Sequence, residues 1–454
     1  MSLTADQILA LAPDASSAKA GSAQASRAKW SGLGGHAQAL WGLCQGSGKE
    51  PYRAQIDLAG PAFKCTCPSR KFPCKHGLGL YLLYAADGAA FTETALPAWV
   101  SDWFKSREQR SEKKAAKETQ HADLSPQELA AKVQSQQKRQ EKRQGNVESG
   151  LAVLDIWLAD LAREGLAGLR SKSARDWEAI AARLVDTQAP GLASRVRRVG
   201  MLIYGSSTSG WEPEVAGELG QLALLADAYR RLPQLPEALA HDVKTAIGWS
   251  MSHEEVLAQP GIHDSWDVWG NHTQDDGRIA RRACYLRGRT TGRWAMLLQF
   301  AAGSQPLPPP LLPGTCQAGT FHFYPGAVPL RAVMGDDVQL APAHALSLDP
   351  PALAACLQHH AQALALNPFL DSCPMLLAQV TPAIALQPEE QMTLHTQDGE
   401  IVPLATSFRK IWHLHAIAGG HPVTLFGLWN GNALLPLSVI SAGRMHLLDV
   451  ERAA

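Results

Sequence analysis

Within twelve residues the chain places Cys65, Cys67, Cys74 and His76 in the pattern C-x-C-x6-C-x-H. Packing alone asks for neither C-x-C nor C-x-H, whereas a metal ion does. A structural zinc site takes four tetrahedral nitrogen or sulfur ligands and leaves no open position. Side chains i and i+2 of a strand point to the same side, so Cys65 and Cys67 can face one ion. Pro68 to Pro73 then loop back. Cys74 and His76 open the apolar run GLGLYLLYAA from Gly77 to Ala86, read as a helix whose N-terminal dipole favours thiolate. Three thiolates and a neutral imidazole leave one net negative charge around Zn2+. Lys64, Arg70, Lys71 and Lys75 surround the cluster and offset that charge. A redox dithiol lacks its C-x-x-C spacing and βαβ setting here. Closed sulfur/imidazole tetrahedra favour zinc, with copper(I) and iron chemically open. The expected cofactor is one structural Zn2+.

Around this cluster the pattern is β-like. Residues 37–44 and 52–58 read as strands, the second alternating polar and apolar. Gln45 to Gly48 carry turn chemistry, Gly60-Pro61 breaks the run, and Ala62 to Thr66 form a third short strand. Upstream, residues 4–12 suit a short helix with Thr4 as N-cap, and 13–29 are Ala/Ser-rich and expected to be loose. Residues 105–145 hold 11 Lys/Arg against 6 Asp/Glu with few aromatics, the composition of an exposed helix or linker. Leu151, Leu154, Trp157, Leu158 and Leu161 recur at helical spacing. So do Trp177, Ile180, Ala181 and Leu184, and then Leu222, Leu225, Ala226 and Tyr229. A hairpin is expected from 283–287 and 294–300, a Pro-rich break at 305–314, a helix at 350–366, and mostly short strands over 375–450.

The expected fold class is therefore α+β. A small N-terminal β-sheet-plus-helix zinc module precedes a helical middle region and a C-terminal α+β region. The boundaries read as 1–29 loose, 30–100 zinc module, 101–147 charged helical or flexible linker, 148–260 helical, and 261–454 α+β of unknown function. The formal net charge is zero, but residues 1–145 carry 20 Lys/Arg against 13 Asp/Glu and the rest 22 against 29. That asymmetry suggests different partners for the two parts. The eight cysteines are few for 454 residues, which argues for metal binding in a reducing compartment rather than a disulfide framework. The start has no secretory pattern, and no apolar run approaches the roughly 20 residues that span a bilayer. A cytoplasmic protein without membrane partners is expected.

The four ligand positions match the C-x-C-x(n)-C-x-H signature of the SWIM-type zinc finger. Residues 30–90, through Trp41 to Gly48, Cys65 to Ser69 and Cys74 to Leu78, resemble the bacterial SWIM finger proteins. The resemblance implies a short sheet followed by a helix, and a role in binding DNA or protein. It also implies a MoxR-type ATPase and von Willebrand A-domain system as the partner neighbourhood.

Other chemistry is sparse. There is no P-loop; Gly205 to Gly210 is not a G-x-S-x-G elbow; Gly32 to Gly35 lacks a preceding strand and the full dinucleotide pattern. Cys44 reads as a small buried hydrophobe, with an auxiliary ligand as the alternative. Cys284, Cys316, Cys356 and Cys373 share no ligand spacing, and His359-His360 point different ways on a helix. His263, Asp264, His272, Asp275 and Asp276 could hide a hydrolase metal site. No catalytic residue is assigned and no small-molecule substrate is evident. The leading reading is a non-enzymatic protein-interaction adaptor. The alternative is DNA or RNA binding through Arg53, Lys64, Arg70, Lys71, Lys75 and the basic linker, with Phe63 and Phe72 available to stack on bases.

Overall fold

The computed structural model describes Leu3 and residues 5–12, 15–36, 38–46, 50–58, 62–69, 71–107, 126–205, 211–275, 279–302, 305, 307–341, 346, 351–384 and 392–448. The N-cap expected at Thr4, the tip of the turn at 47–49, Gly60-Pro61, Arg70, the stretch 108–125, residues 206–210 and Asp276 lie outside them.

The first part contains α1 (Ala5–Ala10), α2 (Ala15–Ser22), β1 (Trp30–His36), β2 (Ala39–Cys44), β3 (Tyr52–Asp57), β4 (Ala62–Cys65), α3 (Lys75–Ala86), β5 (Thr92–Glu93) and α4 (98–107). The sheet runs β4-β3-β2-β1-β5 and is antiparallel except where β5 joins β1. Residues 13–29, expected to be loose, instead hold α2, whose small residues let it lie close on α3. A Cβ on Gly79 would sit 2.4 Å from the Gln24 Cβ and 3.1 Å from the Gly21 carbonyl. The glycine-rich run 32–35 is itself the inner part of β1. Gly34 pairs with Trp41, and a Cβ there would fall 2.4 Å from the indole, so glycine leaves room for the ring to cover the strand. Helix α3 is buried on every side from His76 to Leu83, with the sheet on one face and α1 and α2 on the other.

The middle part is α5 (Pro126–Glu164), α6 (Ala174–Asp186), α7 (Pro190–Gly205), α8 (Glu212–Arg230) and α9 (Glu237–Ile247). The helical stripes read from sequence meet in one core. Leu151, Leu154, Leu161, Trp177, Ala181, Leu184, Leu222, Leu225, Ala226 and Tyr229 are all buried there. Trp157 meets Trp177 edge to face, ring centroids 5.6 Å apart. Ser173 and Asp176 form a capping box that starts α6. The 39 residues of α5 span about 58 Å and run straight through the boundary placed at residue 147. Val147 is already fully buried in the bundle core.

The last part begins with α10 (His253–Leu257) and continues through β6 (Gly261–Asp275), β7 (Ile279–Gly288), β8 (Trp294–Ala302), β9 (Cys316–Phe323), β10 (Arg331–Met334) and β11 (Gln339–Leu340). The order is β10-β8-β7-β6-β9-β11, and a further β10–β9 pairing closes five of these strands into a barrel. Strand β10 runs parallel to β8 and antiparallel to β9. Strand β6 serves both neighbours, β9 along its first half and β7 along its second, with an irregularity between Val268 and Gly270. Trp266 stacks on Phe321 inside, centroids 4.6 Å apart. The proline-rich segment 307–313 lies across the barrel. Its carbonyls accept hydrogen bonds from Arg282 (Pro308, 2.6 Å), Gln299 (Pro309, 3.3 Å) and Asn271 (Leu311, 2.8 Å).

Then follow α11 (Leu353–Leu366), β12 (Cys373–Ile384), β13 (Met392–His395), β14 (Ile401–Pro403), α12 (Ile411–Ala418), β15 (Val423–Trp429), β16 (Leu434–Ser441) and β17 (Arg444–Leu447). This antiparallel sheet has the order β14-β13-β12-β15-β16-β17. Helix α12 interrupts the run expected to be mostly strands. The sheet packs on the barrel: Trp269, Ala283 and Tyr285 share an apolar core with Leu376, Phe426, Leu428 and Leu437. The overall class is the mixed α+β build expected from sequence, with a sheet-plus-helix module, a helical middle and C-terminal sheets. Among the described residues no helix is long and apolar enough to cross a membrane.

Candidate metal centre

Strand β4 carries Cys65 at its last residue, where it pairs with Ala54 of β3. The chain stays extended for one residue more: the Thr66 N–H donates to the Arg53 carbonyl (3.1 Å), and the Arg53 N–H donates to the Thr66 hydroxyl (3.0 Å). That ladder aims Cys65 and Cys67 toward the start of α3, although Cys67 lies beyond the strand itself. Cys74 is the N-cap of α3, its sulfur accepting from the Gly77 N–H at 3.5 Å. His76 follows inside the first turn, buried, with its ring 5.0 Å from that of Tyr52.

The ligand atoms of Cys65, Cys67, Cys74 and His76 all lie within 4.8 Å of one another, and Cys65 Sγ stands 3.8 Å from His76 Nδ1. Tetrahedral bonds of about 2.0–2.3 Å put neighbouring ligand atoms about 3.5–3.8 Å apart. The donor set and the spacing therefore fit one zinc ion. Cys74 and His76 are buried, Cys65 and Cys67 half-buried. All four positions are protein donors, so the ion has no vacant site for substrate.

The thiols are electrostatically unequal. A hydrogen bond with Cys65 holds the Cys74 thiol far below its ordinary range, helped by His76 and the Gly77 N–H and opposed by burial. The same bond, with burial, pushes Cys65 up. Burial also raises Cys67. One thiolate at the helix N-terminus is thus what the protein favours by itself, and a zinc ion held by Cys65, Cys67, Cys74 and His76 would stabilise the other thiols as thiolates.

The flanking cations separate. Lys64 and Lys75 are exposed. Lys71 is also exposed but donates to the Ser16 hydroxyl at the start of α2 (3.0 Å), which ties the ligand loop to the N-terminal helices. Phe63 is buried and packs on Phe72 and Tyr81, with ring centroids 6.3 and 6.2 Å away. Phe63, Lys64, Ser69, Lys71 and Phe72 line a hollow beside the three cysteines.

Residues 64–85 match the family model of the SWIM zinc finger. The chain carries a SWIM zinc finger. Residues 142–247 match a second family model, the SWIM-associated four-helix bundle domain, which covers most of α5–α9. The finger's cluster is thus followed by a bundle that accompanies this finger in its family. No curated protein and no solved structure matches the chain.

The other candidates fall to structural roles. Cys44 is fully buried at the end of β2, and its thiol, raised by burial, faces Gln24 Oε1 and the Gln45 carbonyl at 3.8 Å. Cys284, Cys316 and Cys373 are buried and Cys356 half-buried. His360 is buried edge-on against Trp429, whereas its neighbour His359 is exposed. Asp264 is a loop anchor. Its carboxylate accepts from the N–H groups of Ser265, Thr290 and Thr291 and from the Thr291 hydroxyl. His263 contacts Thr320 and Asp337, and His272 lies nine residues along β6, beyond the irregularity between Val268 and Gly270. Among the described residues, Cys65, Cys67, Cys74 and His76 are the one group of this kind placed to hold a metal ion.

Sequence reasoning missed the polar seam between the bundle and the last sheet. Arg195 and Arg198 of α7 pair with Glu218 of α8 and with Asp371, which precedes β12. Arg195 and Asp371 are 176 residues apart, and no local pattern links them.

Proposed function

We propose that this chain is a non-enzymatic protein-interaction adaptor built around a structural zinc. The observation that carries the reading is the closed ligand set: four protein donors leave the metal to shape the finger rather than to activate a substrate. The finer form of the reading takes a MoxR-type ATPase or von Willebrand A-domain protein as partner and Lys64, Arg70, Lys71 and Lys75 as contacts, of which Lys64, Lys71 and Lys75 are exposed. Purified candidates of both kinds should be retained by the full chain and lost by Cys65→Ala/Cys74→Ala. Retention of neither kind by the full chain, or turnover on a broad substrate panel, speaks against the adaptor, and equal retention by both forms speaks against the finger as the contact.

Nucleic-acid binding is the weaker alternative for physical reasons. Phe63 is buried and Lys71 is engaged with Ser16, so the loop offers fewer free stacking and phosphate groups than its sequence suggests. The barrel β6-β7-β8-β10-β9 has the connectivity of five-stranded Greek-key barrels that take oligonucleotides on the face of their second and third strands. Here Ala283 and Tyr285 of that face lie under the last sheet. A dissociation constant below micromolar at about 150 mM salt, lost in Arg70→Glu/Lys71→Glu with zinc retained, would reverse the preference.

A further inference from the structure

The four-helix bundle holds, in the same chain, a short segment that meets it as a bound peptide would. Asn367-Pro368-Phe369-Leu370-Asp371 links α11 to β12. The Asn367 side-chain oxygen accepts from the Phe369 N–H (3.0 Å), which folds the segment into a turn with Phe369 at its tip. Phe369 is 7% exposed and belongs to the bundle's own core cluster, beside residues more than a hundred positions earlier in the chain. The backbone is read on both sides of it: Gln221 Nε2 donates to the Pro368 carbonyl (3.1 Å) and Arg195 Nη2 to the Phe369 carbonyl (3.4 Å). Asp371 accepts from Arg195 (3.2 Å) and Arg198 (3.0 Å).

An aromatic anchor in an apolar socket, carbonyls read by side chains and a carboxylate paired with two arginines are the elements of peptide recognition. The socket's chemistry does not depend on the ligand being covalently attached. Arg195 is 8% exposed, so an anionic group is needed over the socket beyond what Glu218 supplies; Glu218 already shares both arginines. The Asp371 end is open, its side chain 63% exposed, so the carboxylate is the part of the contact that water and competitors reach first.

We propose that the α7–α8 face of the bundle is a docking site for a turn-forming Pro-Phe-x-Asp segment. In this chain it is filled by residues 367–371 and opens to a partner's segment of the same aromatic-acidic chemistry when they leave. The site is separate from the finger, so its failure leaves the adaptor reading of the zinc module standing, and the reverse.

The test uses the full chain and a fluorescein-labelled peptide, Leu-Asn-Pro-Phe-Leu-Asp-Ser, followed by anisotropy. Phe369→Ala/Asp371→Ala empties the socket and should bind the peptide at least tenfold more tightly than the wild type, whose own segment competes. Adding Arg195→Glu should abolish the gain, and a peptide with Ala for Phe should not bind. If the double variant fails to fold, Asp371→Lys, at an exposed side chain, loosens the latch alone and should still raise peptide affinity over wild type. A folded emptied variant that ignores the peptide at millimolar concentration overturns the proposal, as does binding that persists with Arg195→Glu. So does an Asp371→Lys chain no better than wild type.

Discussion

The zinc module and the helical bundle each bury an apolar core, but only the module adds a metal site to it. In the bundle each helix presents an apolar stripe, and the stripes of α5–α9 close on one core: Leu151, Leu184, Leu192, Val196, Leu222 and Val243 are all fully buried. In the module the central helix α3 is apolar all round, only 12 residues long, and sandwiched between a twisted sheet and two short helices. A helix that short does not hold in water by itself. Its N-terminus carries ligands shared with β4, so a bound metal would add to the module's apolar core of Leu40, Ile56, Leu78 and Leu80 a staple that the bundle does without. The two parts should therefore respond to different insults although one chain carries both.

Metal removal is the sharpest way to separate them. Cys65→Ala/Cys74→Ala should lower bound zinc from one per chain to none by elemental analysis. Structural zinc is worth about 10–16 kcal/mol in isolated fingers, so residues 30–90 should become protease-sensitive. The bundle's Trp157–Trp177 pair should keep its fluorescence. Loss of both together would show that the bundle leans on the metal, and the contrast would collapse.

The reverse experiment cuts the bundle. Leu222→Ala removes a fully buried side chain and should cost about 2–5 kcal/mol. Denaturant melting of the helical signal should shift accordingly while zinc stoichiometry stays at one. Zinc lost in step with the helices would mean that the two cores unfold as one.

A smaller effect is expected at the seam between module and barrel. Leu312, in the proline-rich segment, is 5% exposed and packs into the module's core cluster rather than the barrel's. Leu312→Ala should cost up to about 3 kcal/mol, less if the site collapses. Hydrogen exchange should rise in α1–α3 before it rises in β6–β9. Uniform exchange changes would deny Leu312 this coupling role.

The smallest effect belongs to Lys71. Its bond to Ser16 joins two exposed side chains, so Lys71→Ala should change stability by less than about 1 kcal/mol with zinc unchanged. A larger loss in thermal melting would mean that the ligand loop depends on the N-terminal helices more than surface electrostatics allows.

What could be read from the sequence was local. Cys65, Cys67, Cys74 and His76 sit within twelve residues, and strand and helix geometry alone bring them together. The leucine and tryptophan stripes of α5, α6 and α8 repeat at helical spacing, so their burial follows from period. The hairpin β7–β8 turns within five residues. Where chemistry is local, spacing is sufficient because the chain cannot place those groups far apart.

The rest was decided by tertiary structure. The strand β1 is glycine-rich and carries no strand propensity; it becomes a strand because Trp41 covers Gly34 from the next strand. Residues 15–22 look loose, yet helix α2 forms there against α3 at Gly79. The barrel closes only when β10, eight residues after β9, finds β8 from the earlier hairpin. Phe369 is an unremarkable aromatic until the bundle's socket exists to receive it. Apart from Gly34 and Trp41, seven residues apart across one hairpin, these contacts join groups whose separation in sequence gives no period and no spacing rule. Their free energy comes from burial and pairing across the assembled surfaces, and only the folded chain brings those surfaces together.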